Sequence, residues 1–416
     1  MPDEALLRER SWPALLDSAP ESLGIDLAAV RRYRLGRVRE QIAARDIGAV
    51  ILSDAVNVRY ATGSRNMQVF TSRNAPSRYL VVTADRSILY EFTGCEHLAA
   101  GLETIDEVRP ATTASFVAAG PGSGDRERRW AAEMSSLFAD LLGPGTHTIG
   151  VERMNVGAAL ALAATGHRLV DAQEPVEMAR TIKSPEEVEC IRASVRMTER
   201  AVAAMRDALT PGLTENELWA VLHHAVIAGN GDYCETRLLN SGPRTNPWFQ
   251  EASSRTIRPN ELVALDTDVV GCHGYYADFS RTFHVGPDEP TAEQRLLYRL
   301  AHEQVEHNLE LIGPGVTFRE YAERAWNIPA PYRRNRYYLS AHGCGMTGEY
   351  PYLYHRADFG DAGYDGVIEP GMTLCVESYV GADDGVEGVK LEQQVLVTGT
   401  GTELLSEFPF ESSLLV

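Results

Sequence analysis

Residues 264–283 read ALDTDVVGCHGYYADFSRTF, and the acids in this stretch decide the fold. The run is β-branched and aromatic enough for strands, yet it carries Asp266, Asp268 and Asp278. Asp266 and Asp268 are spaced i, i+2, so a strand through VALDTDVV puts both on one face. Asp278 lies in YYADFSRTF, the expected second arm of a hairpin turning near Gly271–Gly274. The anomaly recurs downstream, with Glu377 inside LCVES and Glu392 inside VKLEQQVLV. Burying one ionised carboxylate costs several kcal/mol unless it is paired or bound to metal. The bases nearby, Arg281 and Lys390, are too few for five acids.

Each residue alone has a plain explanation. A single acid on a strand usually faces solvent, and His342 alone reads as a satisfied polar side chain. His223, His224, His302 and His307 fall in helical patterns and are assigned to helix faces or core. The set changes the balance. Two divalent ions would bring +4 against the −5 of Asp266, Asp268, Asp278, Glu377 and Glu392. A carboxylate-rich site with one imidazole suits Fe or Mn, with Co or Zn possible, better than a thiolate-rich structural zinc.

Outward from this stretch, a duplication is visible. Pro211-Gly212-Leu213-Thr214 before ENELWAVLHHAV returns as Pro314-Gly315-Val316-Thr317 before REYAERAW, an offset of 314 − 211 = 103 residues. Each copy follows a long helical pattern and precedes strand-like runs, as a repeated helix-plus-sheet unit would. Upstream, Ser184-Pro185-Glu186-Glu187 predicts a helix start with Ser184 as N-cap. Residues 27–175 alternate strands (IGAVILSD, RYLVVTADRSILYEF, THTIGVER) with helices (RERRWAAEMSSLFADLLG, VGAALALAA), the pattern of an α/β domain. The expected organisation is an N-terminal arm over 1–26, an α/β domain over 27–175 and a catalytic domain over 176–416.

Composition narrows the function. Lys+Arg 39 against Asp+Glu 58 gives a net charge of −19, which repels phosphate backbones and anionic lipid. Neither a nucleic acid nor a membrane is therefore an expected partner. No window of about 18 apolar residues could span a bilayer, and MPDEALLRERSWPALL lacks the pattern of a signal peptide. The expected location is cytoplasmic. The six cysteines (Cys95, Cys190, Cys234, Cys272, Cys344, Cys375) form no CxxC pair and read as reduced, mostly buried thiols.

ALDTDVVGCHGYYADFSRTF, then SAHGCG, EPGMTLCVES and KLEQQVLVT, is similar to the ordered metal-site motifs of the creatinase/prolidase family of pita-bread enzymes. IKSPEEVECIRAS resembles that family's entry into its catalytic domain, and the likeness covers about residues 180–400. The resemblance implies an α/β N-terminal domain followed by an α+β pita-bread catalytic domain with pseudo-twofold duplicated halves. It also implies a homodimer, and two divalent metal ions held by Asp268, Asp278, His342, Glu377 and Glu392, with Asp266 as an additional or alternative ligand.

Three positions depart from the family's proline dipeptidases. NPWFQE puts Phe249 or a neighbour where those enzymes hold substrate with a histidine. Glu349 stands seven residues after His342 in place of a second histidine, and Lys390 replaces the Arg two before the last Glu. NVRYATGSRNMQ and ETRLLNSGPRTNPWFQE instead resemble segments of the family's lyases of dimethylsulfoniopropionate, which share the Glu of position 349. That resemblance implies a β-elimination on a small zwitterion bearing a carboxylate, with Tyr337 and Trp248 at the substrate and Glu349, Tyr337 or Asp266 in proton transfer. Gly348 departs from the lyases in turn, standing where they carry a catalytic Asp. The alternatives are hydrolysis of an Xaa-Pro bond and a non-catalytic binding protein of the same fold.

Overall fold

The computed structural model describes residues 24–65 and 77–416, so the expected N-terminal arm lies outside the described residues except for its last three positions. The described chain divides into two compact units, Asp26–Arg180 and Thr181–Val416.

The first unit is a six-stranded mixed sheet flanked by helices. Its elements run α1 (Leu27–Ala43), β1 (Ala49–Leu52), α2 (Ala55–Thr62), β2 (Tyr79–Val82), β3 (Ser87–Glu91), β4 (Glu107–Pro110), α3 (Ser123–Leu142), β5 (Thr148–Val151), α4 (Val156–Ala163), β6 (Arg168–Asp171) and α5 (Gln173–Arg180). The strand order is β4-β3-β2-β1-β5-β6. β1 to β3 are fully buried and read as unbroken apolar runs because helices cover both faces. α3 places Trp130, Met134, Leu137 and Phe138 against the sheet and stops at Gly143, whose φ is 88°. The expected break after residue 175 falls inside α5. Pro175 sits in that helix's first turn, where its missing N–H has no intrahelical partner to lose, so the helix runs on to Arg180.

The second unit opens with α6 (Pro185–Ala208), held by a reciprocal capping box between Ser184 and Glu187. α7 (Glu215–Ala228) follows. In the second half α8 (Ala292–Leu311) and α9 (Phe318–Arg324) repeat the arrangement. The two Pro-Gly turns are built alike. Gly212 and Gly315 have φ of 100° and 87°, which glycine alone adopts freely. Each donates its N–H to a distant loop carbonyl, Ile257 O at 3.0 Å and Ile368 O at 2.8 Å. Thr214 and Thr317 then cap α7 and α9 with matching capping boxes, and each forms an isolated bridge, to Thr256 and Val367.

Each half carries antiparallel strands. In the first, β8 (Leu239–Ser241), β9 (Glu261–Asp266) and β12 (Ser280–Val285) form a sheet ordered β12-β9-β8. β7 (Tyr233–Cys234), β10 (Val269–Val270) and β11 (Tyr276–Ala277) form a smaller one ordered β11-β10-β7. In the second, β13 (Leu339–Cys344), β14 (Gly348–Tyr354), β15 (Thr373–Gly381), β16 (Gly388–Val397) and β17 (Thr402–Leu404) are ordered β14-β13-β15-β16-β17. β12 lies beside β16, where Thr282 Oγ1 donates to Lys390 O (2.9 Å) and accepts from Lys390 N (3.1 Å). One apolar core lies with α6 and α7 on the outer face of β9 and β12. A second joins α8 to β15 and β16. The acids occupy the inner faces between them.

The stretch 263–270 is not the single strand that its spacing predicts. β9 ends at Asp266, Asp268 has a left-handed φ of 39°, and β10 begins only at Val269. Two-residue alternation therefore does not explain why Asp266 and Asp268 share a site.

Candidate metal centre

Asp266 ends β9, Asp278 sits between β11 and β12, His342 lies in β13, Glu377 in β15 and Glu392 in β16. Glu377 and Glu392 are direct cross-strand partners, as are Asp266 and Ser280. His342 Nε2 stands 3.5 Å from Glu392 Oε1, 3.6 Å from Asp278 Oδ2 and 3.8 Å from Glu377 Oε1. Ser280 Oγ contacts Asp266 Oδ1 at 2.7 Å and Glu392 Oε2 at 2.6 Å. Asp268 joins through its backbone twist. Its Oδ2 accepts from Thr236 Oγ1 and its Oδ1 from Tyr276 OH at 3.4 Å. The five acids anticipated as one set are thus brought together with the one imidazole.

Lys390 is the cation within the set. Its fully buried Nζ lies 2.8 Å from Glu392 Oε2, 2.9 Å from Glu377 Oε2 and 3.3 Å from Asp266 Oδ2. Burial lowers the affinity of His342 for a proton, but Glu392 and Glu377 outweigh it and push the ring up to about 10, so a second positive charge joins Lys390. Burial, and then the charge of Asp266, pushes Asp268 up to about 8. Burial and Glu392 push Glu377 up to about 7 against the pull of Lys390. Asp266 and Asp278 are raised too, first by burial. Only Glu392 is lowered, because Lys390 and His342 together overcome its burial. The cluster is short of positive charge.

The donor atoms fit a metal. Asp278 Oδ1, Glu377 Oε1 and Glu392 Oε1 are buried without a hydrogen-bond partner, a costly state for carboxylate oxygens. The same three residues surround His342 Nε2 at separations too long for good hydrogen bonds but suited to donors around a shared cation. One neighbour was not anticipated. Single donor atoms of Asp278, His342, Cys375 and Glu392 all lie within 4.8 Å of one another, so the Cys375 thiol, expected as inert core, borders the centre. Its alternation with Glu377 along β15 was the available signal.

The expected catalytic side chains divide. Glu349 lies on β14 in an ion pair of its own. Its Oε1 accepts from Lys183 Nζ in a pair almost wholly shielded from solvent. Taking a proton there would break a buried ion pair, a cost to any base at this position. Gly348 lies beside His342, since a Cβ at that position would be 3.8 Å from His342 Cε1 and Nδ1. Tyr337 stands at the cluster's edge, its ring centroid 5.6 Å from Lys390 Nζ. Burial, then Glu377, pushes its phenol above its ordinary range, so the protonated side chain can donate a hydrogen bond. Phe249 stacks on Tyr337 at 5.9 Å, and Trp248 stacks on Tyr379 at 6.1 Å. Trp248 and Tyr337 pack into one small cluster with Leu238, Ala264 and Tyr379.

A duplicated α+β unit with this carboxylate-rich centre, behind an α/β domain, defines a class of metal-dependent enzymes. Residues 189–399 match metallopeptidase family M24 and residues 34–182 match the creatinase/prolidase N-terminal domain. The chain belongs to that family, whose pita-bread fold it has and whose activity rests on divalent metal ions. It is 36% identical to the dimethylsulfoniopropionate lyase DddP of Roseovarius nubinhibens, over 94% of this chain and 88% of that protein. The namesake of Roseobacter denitrificans is 34% identical with the same coverage. Among solved structures, an Xaa-Pro dipeptidase from Bacillus anthracis shares the fold at a TM-score of 0.72 and 20% identity, covering 92% of this chain and 99% of its own. Among the described residues no helix is long and apolar enough to cross a membrane.

Proposed function

We propose that this chain is a carbon–sulfur lyase that cleaves dimethylsulfoniopropionate, or a closely related small zwitterion, by β-elimination. The observation that carries this reading is the likeness to DddP across both domains, 36% identity over 94% of the chain. The aromatic wall of Tyr337, Phe249 and Trp248 beside the carboxylates adds chemical support, because a sulfonium is attracted to aromatic faces.

In this reading Asp268, Asp278, His342, Glu377 and Glu392 hold the metal, with Asp266 as a further ligand. Charge supports two divalent ions: five carboxylates, Lys390 and two ions sum to −5 + 1 + 4 = 0. Fe or Mn suits such a donor set. When bound, the metal draws charge from the substrate carboxylate and so acidifies the neighbouring C–H. The chain does the rest. Tyr337 donates a hydrogen bond from its protonated phenol, and the aromatic wall orients the sulfonium. A carboxylate takes the α-proton as the C–H pair becomes the C=C bond, and the Cβ–S pair leaves on sulfur, giving dimethyl sulfide and acrylate. With Glu349 committed to Lys183 and Gly348 bare, Asp266 is the acid assigned to that proton. A homodimer in the cytoplasm belongs to the same reading.

The test is purified, metal-loaded protein with dimethylsulfoniopropionate, assayed for dimethyl sulfide and acrylate. Release of both supports the lyase. Free proline from an Xaa-Pro panel instead, with neither product, supports the hydrolase that the family and its solved members favour. Size-exclusion with light scattering reads the dimer.

A further inference from the structure

Asn240 is the most anomalous side chain near this centre. It is fully buried, yet neither its Nδ2 nor its Oδ1 has a hydrogen-bond partner. Leaving such groups unmatched costs about 1–3 kcal/mol. Two other buried polar side chains in this half are satisfied. Asn246 Nδ2 donates to Ala382 O and Gly385 O, both at 2.9 Å, while its Oδ1 accepts from Tyr379 OH and Asn335 Nδ2. On the opposite face of β8, Ser241 Oγ donates to Glu215 Oε1 at 2.8 Å.

Register says where Asn240 points. It pairs with Ala264 across β8 and β9, and Ala264 pairs with Thr282 across β9 and β12. The next row along the sheet is Leu238, whose O accepts from Asp266 N at 2.9 Å, then Asp266 and Ser280. Partners across a ladder share a face, so Asn240 lies on the inner face, diagonal to Asp266 at about 7–8 Å. Leu239 and Leu265 take the outer face, in the core below α6 and α7. Ala264, the small residue between, packs against Trp248 and Tyr337. There the second orphan stands: Trp248 Nε1 is also buried without a partner.

We propose that Asn240, together with the Trp248 indole N–H, is a substrate-binding element that hydrogen-bonds an oxygen of a carboxylate ligand lying against Asp266. Two of the three orphaned atoms, Nδ2 and Nε1, are donors, so the group they match is an acceptor. Asp266, the acid diagonal to Asn240, is already served by Lys390 Nζ and Ser280 Oγ. The inference rests on the reading that the substrate carries a carboxylate, and it adds Asn240 to the residues that the resemblance implies.

The experiment measures propionate binding to the metal-loaded protein by calorimetry, together with the thermal midpoint, for wild type, Asn240→Leu and Trp248→Phe. Propionate has no leaving group, so the result is independent of whether the chain is a lyase. Each variant is expected to bind propionate about tenfold more weakly, the loss of one hydrogen bond. Asn240→Leu, nearly isosteric, is expected to keep or raise the midpoint, because it removes an unmatched buried amide. Unchanged propionate affinity in both variants overturns the proposal, as does a wild type that does not bind propionate. A lowered midpoint in Asn240→Leu with unaltered binding in Trp248→Phe also overturns it, since Asn240 is then structural.

Discussion

Glu377 and Glu392 face each other as direct cross-strand partners on β15 and β16, with Lys390 Nζ 2.9 Å from one and 2.8 Å from the other. Like charges directly opposite destabilise a sheet, so this pair persists only because cations share it. Lys390 is one, and it comes from the same strand as Glu392, two residues earlier, on the same face. Lys390→Met in metal-stripped protein should therefore lose about 3–5 kcal/mol, the cost of leaving buried charges uncompensated. Metal loading should restore more stability to the variant than to the wild type. Thermal melts of chelated and loaded samples read this; an equal gain in both would show that Lys390 and metal do not share the same charges.

Gly348 offers a cleaner test of the chemistry. Its φ lies outside the left-handed region, and a Cβ there meets nothing nearer than the His342 ring at 3.8 Å. Gly348→Asp should fold normally and place a carboxylate beside His342. Positioned general bases are typically worth about 10²–10⁴ in rate. If elimination is limited by the lack of a dedicated base, kcat for acrylate release should rise by at least about tenfold with metal content unchanged. A fall in kcat at full metal occupancy would mean that the base is already in place.

Glu349 should behave in the opposite way. Glu349→Gln removes the partner of a buried lysine, so unfolding in denaturant should shift by roughly 3–5 kcal/mol. Activity per folded, metal-loaded molecule should stay within about threefold, well below the loss expected for a general base. A drop of two or more orders of magnitude in kcat, with stability intact, would return Glu349 to the reaction.

How much of this site could be read beforehand depended on what spacing can encode. The acids at 266, 268, 278, 377 and 392 and the histidine at 342 were legible because a buried, like-charged set in apolar strands has few explanations. Which way neighbouring side chains point was less legible, because face assignment relies on unbroken alternation. Alternation fails at Asp268, where φ is 39°, and again in β13, where the pairing with β14 shifts between His342 and Gly343. That shift leaves Tyr350 and Pro351 as two extra residues on β14, so counting seven residues on from His342 could not say which residue Glu349 would lie beside. Lys183, its partner, lies 166 positions away in sequence, beyond any local pattern. Lys390 was visible as a base but not as the partner of three acids, since that depends on how β9 and β16 come together. The Pro-Gly-x-Thr echo fared better, because each turn and capping box is local chemistry that repeats wherever its four residues recur.

The remaining prediction concerns acid sensitivity away from the metal centre. Burial holds His302 down to about 4, and holds His355 there too although Asp358 and the Tyr337 carbonyl pull upward. In the unfolded chain both rings titrate near 6.5. A depressed folded value means that the unfolded state binds protons first, so stability present above pH about 6.5 is lost as pH falls toward 4. Each ring can account for on the order of 3 kcal/mol across that window. His302→Phe keeps an aromatic ring against Phe410, which His302 meets edge-on at 4.7 Å, while removing the titration. Urea midpoints of wild type and variant, in the same metal state from pH 7.5 to 4.5, should converge at neutral pH. They should separate in favour of the variant as pH falls. Parallel curves over that range would show that His302 takes up its proton without cost in the folded protein.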